Sequence, residues 1–374
     1  MISKGKHQKH IKLEKSNIGL YHRCEWAIYG TNCKNIRIFF DQISSGLNPF
    51  NLMYVDADHG DSEKDTHHHI GKKEFSISNV QSWNEYDDRL NTMQADAAFV
   101  NGNHYPAIRQ IVIIDPKKKD SLKRREDQLN NISMVLVENY EDEIYDFVKS
   151  KMTTDTLVFK SSDIKEITAN IEESIESAKP ALKALILAGG KSQRMGFDKS
   201  QIEYHTGLSQ EKYLNQLLNE LGVDTYLSKR YDYIIKDNDH DHHVIKDRLI
   251  NTGPFGAIVS AMMLDPNAAW LVVACDIPFL DKSLLEKLIN SRNPSKFATA
   301  FRGSENPFPE PLITIYEPRA YQRLLSFLPL GYTCPRKVLI NSDIEEIILE
   351  DMNAITNANT PEEMEHAKSK LANG

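Results

Sequence analysis

A chain of 374 residues, 40% hydrophobic and 26% charged, has an ordinary soluble profile and is long enough for two α/β domains. Its 45 Lys+Arg against 53 Asp+Glu leave a formal charge of −8, which excludes a global attraction for nucleic acid or an anionic membrane, so any positive field is local. Residues 1–15 are basic but lack the apolar core of a signal peptide, no apolar run approaches the ~20 residues that span a bilayer, and Cys24, Cys33, Cys275 and Cys334 form no CxxC pair. The expectation is a cytoplasmic protein with free thiols.

In the first half, short apolar runs at 26–29, 52–55, 97–100, 111–114, 134–137 and 156–159 alternate with polar stretches such as 120–130 and 142–151. This alternation predicts a parallel sheet flanked by helices over residues 1–160. Residues 161–179 are acidic, carry Ile164, Ile167, Ile171 and Ile175 at helical spacing and stop at Pro180, which predicts a helical linker over 161–180. Gly30-Thr-Asn-Cys-Lys-Asn35 follows the first strand where a phosphate-binding loop would sit, without the second Gly and the Lys-Ser/Thr of such a loop. Val55-Asp-Ala-Asp-His-Gly-Asp61 and Val100-Asn-Gly-Asn-His104 follow later strands. His67-His68-His69 and Asp239-His-Asp-His-His243 lie in polar stretches with no second ligand group at a recognisable spacing, so they read as solvated loops and no structural metal is assigned.

The second half, 181–374, is more specific. The apolar run 184–188 suits a buried parallel strand and ends in Gly189-Gly190. Glycines let the backbone approach an anion, successive N–H groups form an anion-binding concavity, and Lys191, Arg194 and Lys199 add positive charge within nine positions. The loop therefore reads as a nucleotide-phosphate site, although no Gly-Lys-Ser/Thr closes it as in a Walker A loop. Residues 211–221 carry leucines at helical spacing and stop at Gly222; 224–227 and 233–235 read as short strands. The stretch 244–258 runs from a strand through Gly253-Pro254-x-Gly256 into a helix that continues to Leu264. Residues 270–280 form a buried strand that delivers Asp276 at its carboxyl end, where open α/β sheets place ligands and where a carboxylate with a triphosphate makes a natural Mg²⁺ site. Residues 297–301 and 313–316 read as strands. Thr360, Pro361 and Glu363 make a capping box that opens a terminal helix.

Leu187-Ala-Gly-Gly-Lys-Ser-x-Arg-Met-Gly-x-Asp-Lys199, Asp247 with Gly253-Pro254, Asp276-x-Pro278 and Asn357-x-Asn359-Thr-Pro occur in this order, and together they resemble the molybdenum cofactor guanylyltransferase family. The resemblance implies a Rossmann-like, three-layer α/β/α nucleotidyltransferase domain with a mostly parallel sheet over 181–374. It also implies transfer of GMP from GTP to molybdopterin with release of pyrophosphate. In that family Leu187, Ala188, Gly189, Gly190, Lys199, Asp247, Gly253 and Pro254 correspond to nucleotide-binding positions, Asp276 to the Mg²⁺ ligand, and Arg194, Lys199 and Asp276 to the catalytic positions. Asn357 and Asn359 either complete the metal and phosphate shell or simply form turns. Arg302, Glu310 and Arg336 are acceptor-side candidates. Where the family often places a nucleotide-contacting asparagine, this chain offers Ser228 or Lys229. Leu-Ala-Gly-Gly is the guanylyl form and favours GTP; a cytidylyl or sugar-phosphate nucleotidyltransferase and a non-catalytic nucleotide or cofactor carrier are the alternatives. Residues 20–150 resemble, in outline, the GTP-binding accessory protein of molybdenum cofactor biosynthesis, and the implied partners are GTP, molybdopterin and molybdoenzymes or other cofactor-biosynthesis proteins.

Overall fold

The computed structural model describes residues 23–48, 50–57, 65–70, 73–78, 94–189, 199–205, 207–234 and 243–372. The chain divides into two units, 1–178 and 179–374.

The first unit holds β1 (Cys24–Tyr29), β2 (Leu52–Ala57), β3 (Asp65–Ile70), β4 (Lys73–Ser78), β5 (Ala97–Asn101), β6 (Arg109–Ile113), β7 (Ile132–Val137) and β8 (Leu157–Lys160) in the spatial order β4-β3-β2-β5-β1-β6-β7-β8. Strands β2, β5, β1, β6, β7 and β8 pair in parallel, while β3 and β4 form an antiparallel extension at one edge. The period-2 geometry of β1 sends Ala27 and Tyr29 to one face and Trp26 and Ile28 to the other, and both faces are buried. Phe39, Phe40 and Ile43 of helix Cys33–Ser44 and Ile167, Ile171 and Ile175 of helix Ile164–Ser177 cover the second face. The acidic helix thus carries its apolar stripe in the core of the first unit. His67, His68 and His69 lie on β3, not in a loop, because that segment pairs residue by residue with β2.

The second unit contains a seven-stranded sheet in the order β13-β12-β9-β14-β16-β15-β17: β9 (Leu182–Leu187), β12 (Asp224–Lys229), β13 (His243–Lys246), β14 (Ala269–Ala274), β15 (Ala298–Gly303), β16 (Pro309–Tyr316) and β17 (Glu345–Leu349). A small hairpin of β10 (Glu203–His205) and β11 (Leu208–Ser209) lies outside it. Only β16 runs against the other six strands. Ala184 and Ile186 of β9 pack with Leu214, Leu218, Leu285 and Leu288 on one face, and Leu185 packs with Phe255, Ile258 and Met262 on the other, giving the expected three layers. Helix Pro254–Leu264 is buried from Phe255 to Met262, which is why its sequence is apolar all round rather than striped. Of the strand expected over 233–235, residues 233–234 are not strand and 235 lies outside the described residues; the edge strand is His243–Lys246, and of the Asp239–His243 stretch only His243 lies within the described residues. None of the four cysteines, all of them described, forms a disulfide, and no helix among the described residues is long and apolar enough to cross a membrane.

Candidate active site

A cleft of about 460 Å³ opens where β9, β12, β13 and β14 end, lined among others by Leu187, Ala188, Gly189, Ser228, Asp247, Gly253, Pro254 and Asp276. Four segments separated in sequence meet here because parallel strands deliver all their carboxyl ends to one edge. Gly190 and Arg194 lie outside the described residues; Lys199 opens the 3-10 turn Lys199–Gln201 beside Ser200, which lines the cleft.

The two glycines on the cleft wall have different reasons. A Cβ on Gly189 would stand 3.0 Å from the Arg230 nitrogen and 3.2 Å from Lys229 Cα, so the absence of a side chain lets the loop lie against the end of β12. At Gly253 there is space, but φ is +58°, a conformation that side chains rarely adopt; it turns the chain into helix Pro254–Leu264, with Pro254 pre-set at the first position. The start of that helix, with Gly253, Pro254 and Ala257 on the cleft wall, turns the positive end of the helix dipole toward the cleft, a natural seat for phosphate.

Ser228 and Lys229, the two alternatives at the end of β12, part ways. Ser228 Oγ donates to Asp247 Oδ1 at 3.1 Å inside the cleft, whereas Lys229 Nζ pairs with Glu211 at 2.6 Å, with both side chains nearly buried. Burial pushes the Asp247 carboxyl up, and the Ser228 hydrogen bond partly opposes this. The sign of the pH effect follows: a raised folded pKa means that the native state takes up a proton before the unfolded chain does. Stability is then gained as pH falls through the folded pKa, and a penalty persists above it. Asp247→Asn is therefore expected to be more stable than the parent at pH 7, with a difference that vanishes below the unfolded carboxylate range; urea denaturation across pH checks this.

Asp276 follows β14 at the floor of the cleft, and its carbonyl accepts a hydrogen bond from Ala358 N at 2.7 Å. That bond fixes Asn357 and Asn359 on either side of the anchor, although neither side chain is among those lining the cleft. The capping box is present: Glu363 N donates to Thr360 Oγ1 at 3.2 Å, and Thr360 N donates to Glu363 Oε2 at 3.1 Å. Burial pushes the Glu310 carboxyl up, against the pull of Arg336, whose Nη2 donates to it at 2.8 Å; the negative charge of Asp276 adds to the upward shift. Burial, aided by Asp276 and Glu363, pushes the Tyr204 phenol up to about 12. Of the acceptor-side candidates, Glu310 and Arg336 are thus coupled to Asp276, while Arg302 is held by Glu346 at 3.0 Å.

Sequence reasoning missed Arg230, Tyr231 and Asn251, which also line the cleft. Asn251 had a signal: at φ 59° it is the one non-glycine with positive φ among the described residues, and asparagine ahead of a Gly-Pro turn tolerates that region best.

Residues 184–344 match the family described as MobA-like NTP transferase domain. The chain is 30% identical over 197 residues to a molybdenum cofactor guanylyltransferase of Pseudomonas aeruginosa, covering 50% of this chain and 94% of that protein. It is 24% identical over 196 residues to the enzyme of the same name from Pseudomonas putida, covering 50% and 98%. A molybdenum cofactor biosynthesis bifunctional protein of Synechocystis is 30% identical over 220 residues, 59% of this chain; this chain spans 62% of that protein's length. The match begins at β9 and includes the cleft residues from Leu187 to Asp276, so the chain belongs, through its second unit, to the MobA-like NTP transferase family.

Proposed function

We propose that the second unit transfers the guanylyl group of GTP to the terminal phosphate of molybdopterin. The observation that supports this most is the convergence of Gly189, Asp247, the Gly253-Pro254 helix start and Asp276 on one cleft. An acceptor phosphate oxygen attacks the α-phosphorus, the bond to the bridging oxygen of the β-phosphate breaks, and pyrophosphate leaves with the electron pair. The acceptor is already ionised at pH 7, so no general base is required; the protein supplies position and charge. Gly189 and the helix start hold the phosphates, and Arg194 and Lys199 offset charge that develops on the leaving group.

The donor set fits a hard cation. Asp276 contributes a carboxylate, and its charge is felt by the neighbouring Glu310 carboxyl. Mg²⁺ held by Asp276 and phosphate oxygens would supply Lewis-acid neutralisation of the triphosphate. The setting is the cytoplasm, with molybdoenzymes as recipients of the product.

Equilibrium binding in Mg²⁺ buffer tests the nucleotide: GTP is expected to bind at least about tenfold more tightly than CTP, a difference of ~1.4 kcal/mol. Parity, or preference for CTP, would move the assignment to the cytidylyl relatives.

A further inference from the structure

At the carboxyl edge of the first unit's sheet, three side chains far apart in sequence meet. Cys33 opens the helix after β1, Asp56 lies near the end of β2, and His104 follows β5. One potential ligand atom from each lies within 4.8 Å of the others. Cys33 Sγ stands 3.4 Å from His104 Nε2, and Asp56 Oδ1 stands 3.8 Å from the same nitrogen. Ligands at about 2.3 Å for thiolate and about 2.0–2.2 Å for imidazole and carboxylate around a tetrahedral ion would be separated by roughly 3.3–3.6 Å. The two separations from His104 Nε2, 3.4 and 3.8 Å, are close to that range, and the third lies within 4.8 Å, before any ion draws the groups together.

The geometry distinguishes a metal site from a nucleophilic triad. A Cys-His-Asp relay uses both ring nitrogens, one toward sulfur and the other toward the carboxylate. Here sulfur and carboxylate converge on one nitrogen, which can hold a single proton, and 3.8 Å is too long for a hydrogen bond. A cation seated among the three would take one donor atom from each.

The supporting residues are already built. Tyr54 Oη donates to Asp56 Oδ2 at 2.8 Å, and Asn101 Nδ2 donates to Asp56 Oδ1 at 2.9 Å. The turn that carries His104 is pinned by Gly102 N to Ile28 O at 2.9 Å and His104 N to Asn101 O at 2.9 Å. Outer contacts of this kind orient metal ligands. The side chains of His104 and Asp56 are 22% and 19% exposed, which leaves an entry path.

We infer that Cys33, Asp56 and His104 form a three-ligand site for a divalent transition metal that accepts thiolate, zinc foremost, with a fourth position left for water or an exogenous ligand. Sulfur, nitrogen and oxygen donors together select such an ion over Mg²⁺ or Ca²⁺. Binding releases the Cys33 thiol proton to buffer as the metal–sulfur bond forms.

The test is titration of the metal-free full-length protein with Co²⁺, followed by displacement with Zn²⁺. The expected result is one equivalent bound per chain with a near-ultraviolet thiolate-to-cobalt band that Zn²⁺ abolishes. Cys33→Ser should lose the band, and His104→Ala should weaken binding at least about tenfold. Zn²⁺ should also protect Cys33, but not Cys334, from alkylation in peptide mapping of the parent chain, a readout that needs no variant to fold. A band that survives Cys33→Ser, binding abolished only by replacing His67, His68 and His69, or alkylation of Cys33 unchanged by Zn²⁺ would overturn the site.

Discussion

Asp276→Asn is expected to lower kcat by about a thousandfold or more, ~4 kcal/mol of transition-state stabilisation, while the fold stays intact. The change keeps the size of the side chain and the backbone carbonyl that accepts from Ala358 N, so the cleft floor and the docked tail persist. What is lost is the charge: an amide is a poor ligand for the hard cation proposed to neutralise the triphosphate. An independent mark of that loss is Tyr204, held up to about 12 first by burial and then by Asp276 and Glu363; its phenol should titrate lower in the variant. Steady-state rates at saturating nucleotide and acceptor, with far-ultraviolet circular dichroism as the control, check the expectation. Near-normal turnover in a folded Asp276→Asn protein contradicts the assignment of this residue.

Arg292→Leu is expected to have the largest effect on stability, a loss of about 3–5 kcal/mol from the second unit. Glu317 is fully buried, and Arg292 holds it through two hydrogen bonds, Nε to Oε1 at 2.6 Å and Nη2 to Oε2 at 2.9 Å; Nη2 also donates to Pro180 O at 2.9 Å. Removing the guanidinium leaves an uncompensated carboxylate in the interior, which costs far more than the pair contributes while intact. Glu317→Leu added to Arg292→Leu should recover much of the loss, since neither charge is then stranded. Urea denaturation with hydrogen exchange read on peptides from 179–374 separates this unit from the first. A single variant within about 1 kcal/mol of the parent would show that the pair is not a structural anchor.

Local patterns made much of this architecture legible. The apolar run of β9 ending at Gly189, the Gly253-Pro254 helix start and the Thr360–Glu363 capping box each depend on neighbours within a few residues. Asp276 was readable for the same reason, as a lone carboxylate at the end of an apolar strand. What lay beyond the sequence was decided by distant partners. His67, His68 and His69 look like a solvated loop until β2 supplies hydrogen-bond partners for their backbone, and Tyr233 and Ile234 carry β-propensity that no neighbouring strand takes up. The choice between Ser228 and Lys229 was set by Glu211, which takes the lysine away from the cleft. Cys33, Asp56 and His104 match no ligand spacing along the chain; only the sheet order, with β5 between β1 and β2, brings their loops together.

Pyrophosphate release by the purified full-length protein with Mg²⁺, comparing GTP, CTP, ATP and UTP with and without molybdopterin, tests the central claim most directly. The expected result is release that requires the pterin and is fastest with GTP. Release that requires CTP or a sugar phosphate, or tight GTP binding with no release when the pterin is present, would contradict it.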